Sequence, residues 1–186
     1  VLAFGVLDGM LIAIGLSLAA LIQRMAAPHL ATLGRLDDGH DFVDLARHPD
    51  ARAVPGMTIL RPAQPLFFGN AERVTGEVER RLGGDRALVL SLEESSDLDS
   101  TALDCLIEFD GRLKREGIRL QLARVHDHIR DLFHRAGQDT LVARSSFSVA
   151  DAVTAIRGND DAGFSAGSTA DPDPGSAPDT DDGRQT

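Results

Sequence analysis

The segment DLDSTALDCL, from Asp97 to Leu106, gathers carboxylate and hydroxyl side chains at the predicted start of a helix. Aspartate, serine and threonine at a helix start accept hydrogen bonds from free backbone N–H groups and complement the helix dipole. That chemistry predicts Asp99 or Ser100 as the N-cap. The same loop offers Ser100 and Thr101 as phosphorylation sites, because a helix N-terminus favours a phosphate, although the neighbouring aspartates would repel it. The residues alone leave the cap and the phosphorylation switch as alternatives.

Other residues that carry chemistry are few, and their spacing is poor for catalysis. The sequence contains no glycine-rich phosphate loop and no HExxH pair. Cys105 is the single cysteine, which excludes an internal disulfide and a multi-cysteine metal site; we interpret it as a small buried apolar residue. His126 and His128 are two residues apart, so they do not share a helical face and are interpreted as a solvated helix start. We therefore expect no enzyme activity and no catalytic, cofactor or metal site.

The charge distribution separates an acidic C-terminus from an ordinary surface. The chain of 186 residues has a formal net charge of −10 and an isoelectric point near 4.9. Seven aspartates and one arginine lie between residues 159 and 186, which contributes −6 and leaves −4 for residues 1–158. A phosphate backbone would be repelled, so nucleic-acid binding is not expected. The tail from 158 to 186 is rich in Asp, Pro, Gly, Ser and Thr and is predicted to be disordered.

The N-terminal region, residues 1–25, is predicted to be a transmembrane helix. Residues 1–22 contain one charge, Asp8, and no proline, and about 20 apolar residues span a bilayer. A charge near a helix end reaches the interface, so the span is placed from near Asp8 to near Met25. A signal peptide would need a basic start and a cleavage site, and a buried core helix would need an amphipathic pattern. Neither pattern is clear in this segment.

The charged residues around this helix predict its orientation. Arg24 and Arg35 follow the apolar segment, and no lysine or arginine precedes it. Positive charge collects on the cytoplasmic side of membrane proteins, so the rest of the chain is predicted to be cytoplasmic, on the inner side of an inner (plasma) membrane. Because the first residue is Val1, we interpret the chain as a piece of a longer protein.

The remaining sequence divides into a linker and one folded domain. Residues 26–56 are polar and contain three prolines and three glycines, which predicts a linker with little regular structure until Met57. Residues 57–157 alternate short apolar runs with amphipathic segments, which is typical of an α/β fold with a mixed sheet of about four to five strands and about four helices. The predicted strands are 57–60, 66–68, 87–92, 118–123 and 140–142. The predicted helices are 72–82, 100–116, 127–136 and 149–157.

The helix that follows the opening segment has the clearest pattern. Its apolar residues recur at helical spacing and predict one buried stripe. They are Ala102, Leu106, Phe109 and Leu113. Glu108 and Arg112 are four residues apart and are predicted to form an ion pair on the outer face. Asn70 is predicted to be the N-cap of the preceding helix.

Four segments, taken in order, are similar to one known family. They are GVLDGMLIAIGLSL (5–18), PLFFGNA (65–71), DSTA (99–102) and the pattern from Gly117 to Gly137. The chain resembles the C-terminal end of SulP-type sulfate permeases, in which the last membrane helix is followed by a cytoplasmic STAS domain. The resemblance covers about residues 1–157.

The resemblance implies a non-catalytic STAS domain that supports the folding, dimerisation and regulation of a secondary anion transporter. It implies four partners: the remainder of the membrane transport domain, the lipid bilayer, a second copy in a homodimer, and a regulatory protein at the loop from Asp99 to Thr101. The anion site of the family lies in earlier membrane helices, which this chain lacks. This chain alone is therefore not expected to transport, and no cofactor is implied.

The alternative is a regulatory protein of the anti-sigma-factor-antagonist type, which shares the STAS domain. In that group a partner kinase phosphorylates the serine of an Asp-Ser-[Ser/Thr]-Gly motif, and the matching position in this chain is Ser100. The glycine of the motif is replaced here by Ala102.

Overall fold

The computed structural model of the chain describes residues 5–26, 29–37 and 39–166, and six helices and seven strands occur in these ranges. The helices are α1 (Val6–Ala26), α2 (Ala71–Arg81), α3 (Ser100–Arg115), α4 (Asp127–Arg135), α5 (Asp139–Ala143) and α6 (Val149–Ala166). The strands are β1 (Leu30–Leu36), β2 (Phe42–Asp44), β3 (Ala51–Arg52), β4 (Met57–Pro62), β5 (Ala87–Ser91), β6 (Arg119–Ala123) and β7 (Ser145–Ser146).

The strands form one mixed sheet in the order β2-β1-β4-β5-β6-β7, and β3 also pairs with β1. Strands β4 to β7 are parallel to one another, whereas β1 is antiparallel to β2, β3 and β4. The four parallel strands end on the same side of the sheet, which we call the carboxyl edge; it is formed by Pro62, Ser91, Ala123 and Ser146. Leu30, the first residue of β1, pairs with Pro62. The chain that comes from α1 therefore joins the sheet at the carboxyl edge.

Helices cover both faces of the sheet. Alternate residues of a strand point to opposite faces, so strands β4 and β5 contribute side chains to a core on each side. On one face, Leu60 and Leu88 lie in a core with Phe109 of α3 and with side chains of α2 and α4. On the other face, Ile59 and Val89 lie in a second core with side chains of α6. Strand β5 is buried at every residue, as its continuous apolar run predicts. The predicted α/β fold class is confirmed.

Helix α3 begins and ends close to where the sequence places it. The four residues of its predicted apolar stripe are each no more than 2% exposed. The helix is followed by Gly117, whose φ of 71° lies in the left-handed region that favours glycine. The predicted stripe is therefore confirmed, and Gly117 accounts for the end of the helix.

The segment predicted to be a linker contributes three strands, so the expectation of little regular structure before Met57 is wrong. Strands β1, β2 and β3 lie between residues 30 and 52, which raises the strand number above the expected four to five. Gly34 in β1 allows a close approach: a Cβ atom there would lie 2.8 Å from the carbonyl oxygen of Arg52. Short strands that contain glycine and charged residues give little periodic signal, and this is why the sequence pattern missed them.

Two other predicted strands are wrong. Residues 66–68 form a loop, because their backbone N–H groups donate to the side chains of Ser95, Asn70 and Asp99 instead of to a neighbouring strand. Residues 140–142 lie in α5, where Leu141 is buried, and the strand at this point of the chain is β7, a few residues later.

Helix α1 agrees with the predicted membrane segment in length and position. Its described side chains, up to Arg24, are all exposed. The range Val6–Arg24 is long and apolar enough to cross a membrane, with a mean hydropathy of 2.0. At the other end of the chain, α6 continues to Ala166, beyond the predicted helix end at Arg157. Residues 167–186 of the predicted tail lie outside the described residues.

Candidate functional site

Asp99 is the N-cap of α3 and connects two loops of the carboxyl edge. Its backbone is extended, and its Oδ1 accepts a hydrogen bond of 2.8 Å from the backbone N–H of Ala102. Its Oδ2 accepts a second hydrogen bond, of 2.7 Å, from the backbone N–H of Phe68. Of the two predicted caps, Asp99 is therefore the one that acts, and it also fixes the loop between β4 and α2.

The loop between β4 and α2 is held by side chains rather than by strand pairing. Asn70 occupies the N-cap position of α2 but makes no capping hydrogen bond, so that prediction is wrong in its chemistry. Its side chain accepts from the N–H of Phe67 at 2.9 Å and donates to the carbonyl of Pro65 at 2.8 Å. A Cβ atom at Gly69 would lie 2.6 Å from the Phe67 ring. These contacts leave the side chain of Phe68 pointing outward, 72% exposed.

Ser100 and Thr101 are the first two residues of α3, and both are exposed. Asp97, also exposed, lies 3.3 Å from Nε2 of His128. Asp104 faces solvent on the next turn of α3. A phosphate on Ser100 would meet the favourable N-terminus of a sixteen-residue helix. It would also be repelled by the negative charge of Asp97 and Asp104. The structure therefore contains both effects expected from the sequence: attraction by the helix N-terminus and repulsion by the aspartates.

Thr101 and Cys105 line an open groove between α2 and α3. Cys105 is half-buried, and its Sγ lies 3.7 Å from Oγ1 of Thr75. At the far end of the groove, Nε of Arg112 donates to Oε1 of Glu79 at 2.8 Å. This hydrogen bond raises the pKa of Arg112 above its ordinary value. The sequence predicted that Arg112 pairs with Glu108 of its own helix. In the structure Arg112 bonds to Glu79 and so joins α3 to α2.

Asp110 forms a buried ionic cluster that the sequence does not signal. Its carboxylate accepts two hydrogen bonds of 2.7 Å from the guanidinium of Arg144 and lies 2.7 Å from Nζ of Lys114. Burial raises the pKa of Asp110, but the hydrogen bonds from Arg144 and then Lys114 outweigh it and hold the pKa below its ordinary value. Asp110 and Arg144 are 34 residues apart in sequence, and no local pattern indicates such a pair.

The two histidines near the start of α4 hold the loops of the carboxyl edge together. Nε2 of His126 lies 3.2 Å from the carbonyl oxygen of Glu93, and His128 contacts Asp97. Within the described ranges, no group of three or more His, Cys, Asp or Glu side chains could hold a metal ion. The sequence also contains a Gly-x-Ser-x-Gly spacing at residues 163–167. Its first four residues belong to the end of α6 rather than to the strand-to-helix turn that a nucleophile elbow needs.

Comparison with known families places this fold. The sequence model of the STAS domain matches residues 48–152, which is more than half of the chain. The chain belongs to the STAS domain family.

Relatives of this STAS domain protein include sulfate transporters. It is 36% identical over 140 residues to a probable sulfate transporter of Mycobacterium tuberculosis, covering 73% of this chain and 25% of the relative. It is 28% identical over 161 residues to the chloroplastic sulfate transporter 4.1 of Arabidopsis thaliana, covering 80% of this chain and 24% of the relative. The chain thus spans about a quarter of the length of these relatives. The similarity to SulP-type transporters that the sequence motifs indicate is confirmed.

Solved structures agree on the fold. The murine anion transporter Slc26a9 in an inward-facing state matches with a TM-score of 0.72 and 21% identity, covering 81% of this chain and 26% of that one. A sulfate transporter family protein of Wolinella succinogenes matches with a TM-score of 0.53 and 21% identity, covering 62% of this chain and 96% of that one. An anti-sigma factor antagonist of Thermotoga maritima matches with a TM-score of 0.51 and 18% identity, covering 57% and 92%. At these identities the likeness shows the shared fold alone.

Proposed function

We propose that this chain is the C-terminal portion of a SulP-type secondary anion transporter, with sulfate as the anion, and that its STAS domain is a non-catalytic regulatory and assembly module. The observation that carries the proposal is the combination of α1 with the sheet. A membrane-length helix with exposed apolar side chains leads, after residues 27–29, into the first strand of a STAS domain. The sulfate-transporter relatives, each about four times longer than the matched part, support the same conclusion.

The proposed orientation places α1 in the inner (plasma) membrane and the STAS domain in the cytoplasm. Arg24, at the C-terminal end of the candidate span, is exposed, and Arg35 follows in β1. Positive charge on this side of a membrane helix favours the cytoplasm. In this arrangement residues 1–25 form the membrane segment, the sheet of the domain begins at β1 soon after it, residues 57–157 form the main part of the domain, and the acidic tail follows.

The transport reaction is assigned to membrane segments that precede this chain in the full-length protein. The test measures uptake of radiolabelled sulfate in a bacterial host that lacks its own sulfate transporters. The full-length protein should restore uptake, and the 186-residue chain, produced at the same level, should not. Uptake by the short chain, or a full-length gene product without further membrane helices, would contradict the proposal.

The proposed regulatory partner binds at the loop formed by Asp99, Ser100 and Thr101. This proposal, which also covers a phosphorylation switch of the anti-sigma-factor-antagonist type, is supported by the exposure of Ser100 on the first turn of α3. Mass spectrometry of the protein isolated from its host should find phosphate on Ser100. The Ser100→Asp variant should change the set of co-purifying proteins, whereas Ser96→Asp, at an exposed serine of the same loop, should not. An unmodified Ser100 together with an unchanged set of partners would contradict the switch.

A further inference from the structure

Two phenylalanines stand apart from the rest of the folded domain. Outside α1, Phe68 and Phe147 are the large apolar side chains that lie exposed on the described surface, at 72% and 70%. A single exposed apolar side chain on a soluble surface needs no explanation. Two exposed aromatic rings on one side of a domain can, however, contact one apolar environment together when that side faces it.

Both rings lie at the carboxyl edge of the sheet. Phe147 directly follows Ser146, the last residue of β7, and β7 is parallel to β6. Phe68 belongs to the loop that follows β4, and its backbone N–H is bonded to Asp99, the N-cap of α3, at the same edge. Neighbouring strands are about 4.8 Å apart, so the ends of β4 and β7 are separated by about 14 Å along one edge.

The membrane helix joins the domain at this same edge. Helix α1 ends at Ala26 and β1 begins at Leu30, whose partner in the sheet is Pro62 at the carboxyl end of β4. Four residue steps span at most about 14 Å. If α1 crosses a bilayer, its C-terminal end lies at the membrane surface, and the end of the carboxyl edge where Leu30 pairs with Pro62 is held within that distance of the lipid headgroups.

The surroundings of Phe147 suit a lipid–water interface. The guanidinium of Arg130 lies over the ring, 4.3 Å from its centroid, and donates to the carbonyl of Ser145. Arg124 lines the same open groove as Phe147 and has a φ of 56°, an uncommon conformation for a residue other than glycine. An aromatic ring flanked by arginines places apolar surface toward acyl chains and positive charge toward phosphates.

The acidic side chains of this edge are partly neutralised within the domain. Glu93 forms an ion pair with Arg61 at 3.2 Å, and Asp97 contacts His128. Asp99 is occupied by two backbone N–H groups. Glu94 and Asp127 are also exposed at this edge, and their negative charge opposes approach to an anionic membrane surface. The contact therefore depends on Arg124, Arg130 and the two rings.

We infer that the carboxyl edge of the sheet lies against the bilayer that α1 enters, with Phe68 and Phe147 in the interfacial layer of phospholipid headgroups and upper acyl chains. This inference rests on the proposed membrane location of α1. It adds a second, peripheral contact between the STAS domain and lipid. Because the loop from Asp99 to Thr101 lies at the same edge, a partner protein that binds this loop would have to displace the edge from the lipid.

The test uses tryptophan as a depth probe, because the sequence contains no tryptophan and no tyrosine. Four single variants of the 186-residue chain are reconstituted in phosphatidylcholine–phosphatidylglycerol vesicles, and quenching by phosphatidylcholine brominated on the acyl chains is measured. Phe68→Trp and Phe147→Trp report on the edge. Leu16→Trp reports on α1. Glu116→Trp is the matched control, because Glu116 is exposed at the opposite end of α3.

Quenching by the brominated lipid should be at least about twofold stronger in Phe68→Trp and Phe147→Trp than in Glu116→Trp. It should be strongest in Leu16→Trp. If Leu16→Trp is quenched while both edge variants behave like Glu116→Trp, the edge does not contact lipid and the inference fails, whereas the membrane helix stands. If Leu16→Trp itself is not quenched, the proposed membrane location fails first. Edge variants of the 186-residue chain that are shielded from acrylamide in water but are not quenched by the brominated lipid would assign the edge to a protein contact and overturn the inference as well.

Discussion

Helices α1 and α3 are both rich in leucine and isoleucine, but they place these residues differently. In α1 the apolar side chains surround the helix, and the described ones are all exposed. In α3 they form one stripe that is buried against the sheet, while Asp104 and Glu108 face solvent. A helix with one apolar stripe can bury that stripe within a folded domain, whereas a helix that is apolar all round needs an apolar environment on every side. The arrangement of the apolar residues around the helix, rather than their presence alone, therefore distinguishes α1 from α3.

The largest expected effect is in the core contributed by α3. Phe109 is fully buried, and Phe109→Ala should lower the free energy of unfolding by about 4 kcal/mol, because it removes a large apolar side chain and leaves a cavity. Urea unfolding of the protein in detergent, followed by circular dichroism, measures this loss.

Phe68→Ala is the matched control for this measurement, since it removes the same side chain from a position that is 72% exposed. Its unfolding free energy should stay within about 0.5 kcal/mol of the wild type. Equal losses of unfolding free energy for the two variants would show that the buried ring of Phe109 does not contribute more to stability than the exposed ring of Phe68.

The second effect tests α1 with a single charge. Ile14 is exposed near the middle of the helix, and Ile14→Arg should oppose membrane insertion by about 3 kcal/mol. The stability of the STAS domain should not change, because α1 lies outside both cores. Extraction of membranes with alkaline carbonate gives the inserted fraction, and Ile14→Leu is the control. A variant that stays fully inserted, or that unfolds the domain, would argue against the separation of the two regions.

The third effect concerns the ionic cluster that joins α3 to the segment after α5. Asp110→Asn keeps the shape of the side chain but removes the charge that Arg144 and Lys114 contact. We expect a loss of about 2 kcal/mol at neutral pH. Asp104→Asn, at an exposed position of the same helix, should change stability by less than about 0.5 kcal/mol.

The pH dependence of this loss has a definite sign. Because the pKa of Asp110 is lowered in the folded protein, its contribution is fully present above the unfolded value of about 3.9 and is lost as the pH falls through the folded pKa. The difference between wild type and Asp110→Asn should therefore be constant from neutral pH to about pH 5 and shrink in more acidic solution. A difference that grows on acidification would contradict the assigned direction.

The parts of the fold that were predictable are those with strong local patterns. Strand β5 is a continuous apolar run and α3 has a stripe at helical spacing, and both were placed almost to the residue. Strands β2 and β3 were missed because they are too short to give a periodic signal, and β1 was missed because it pairs with a strand that lies far away in the sequence, as in the contact of Leu30 with Pro62. The same is true of the Asp110–Arg144 pair, which only the folded chain brings together.

The candidate loop was predictable in part for a similar reason. The N-cap role of Asp99 follows from local helix chemistry and is confirmed, whereas its second hydrogen bond, to Phe68, spans 31 residues and has no local signal. For Asn70 the local rule named the position correctly but not the bonds, because the nearby Phe67 and Pro65 offer the amide better partners. N-cap propensity therefore predicts the position of a capping residue more reliably than it predicts which groups the side chain of that residue bonds.

The smallest effect separates the two neighbouring residues Asp99 and Ser100 at the start of α3. Asp99→Ala should cost about 1 kcal/mol, because it removes a capping hydrogen bond from α3. It also leaves the N–H of Phe68 without its partner, so hydrogen exchange of that amide should accelerate. Ser100→Ala removes an exposed hydroxyl from the next residue and should leave both stability and exchange unchanged. If Ser100→Ala destabilised α3 as much as Asp99→Ala, the hydroxyl would share the capping role, and modification of Ser100 would then act through the stability of α3 as well as through its charge.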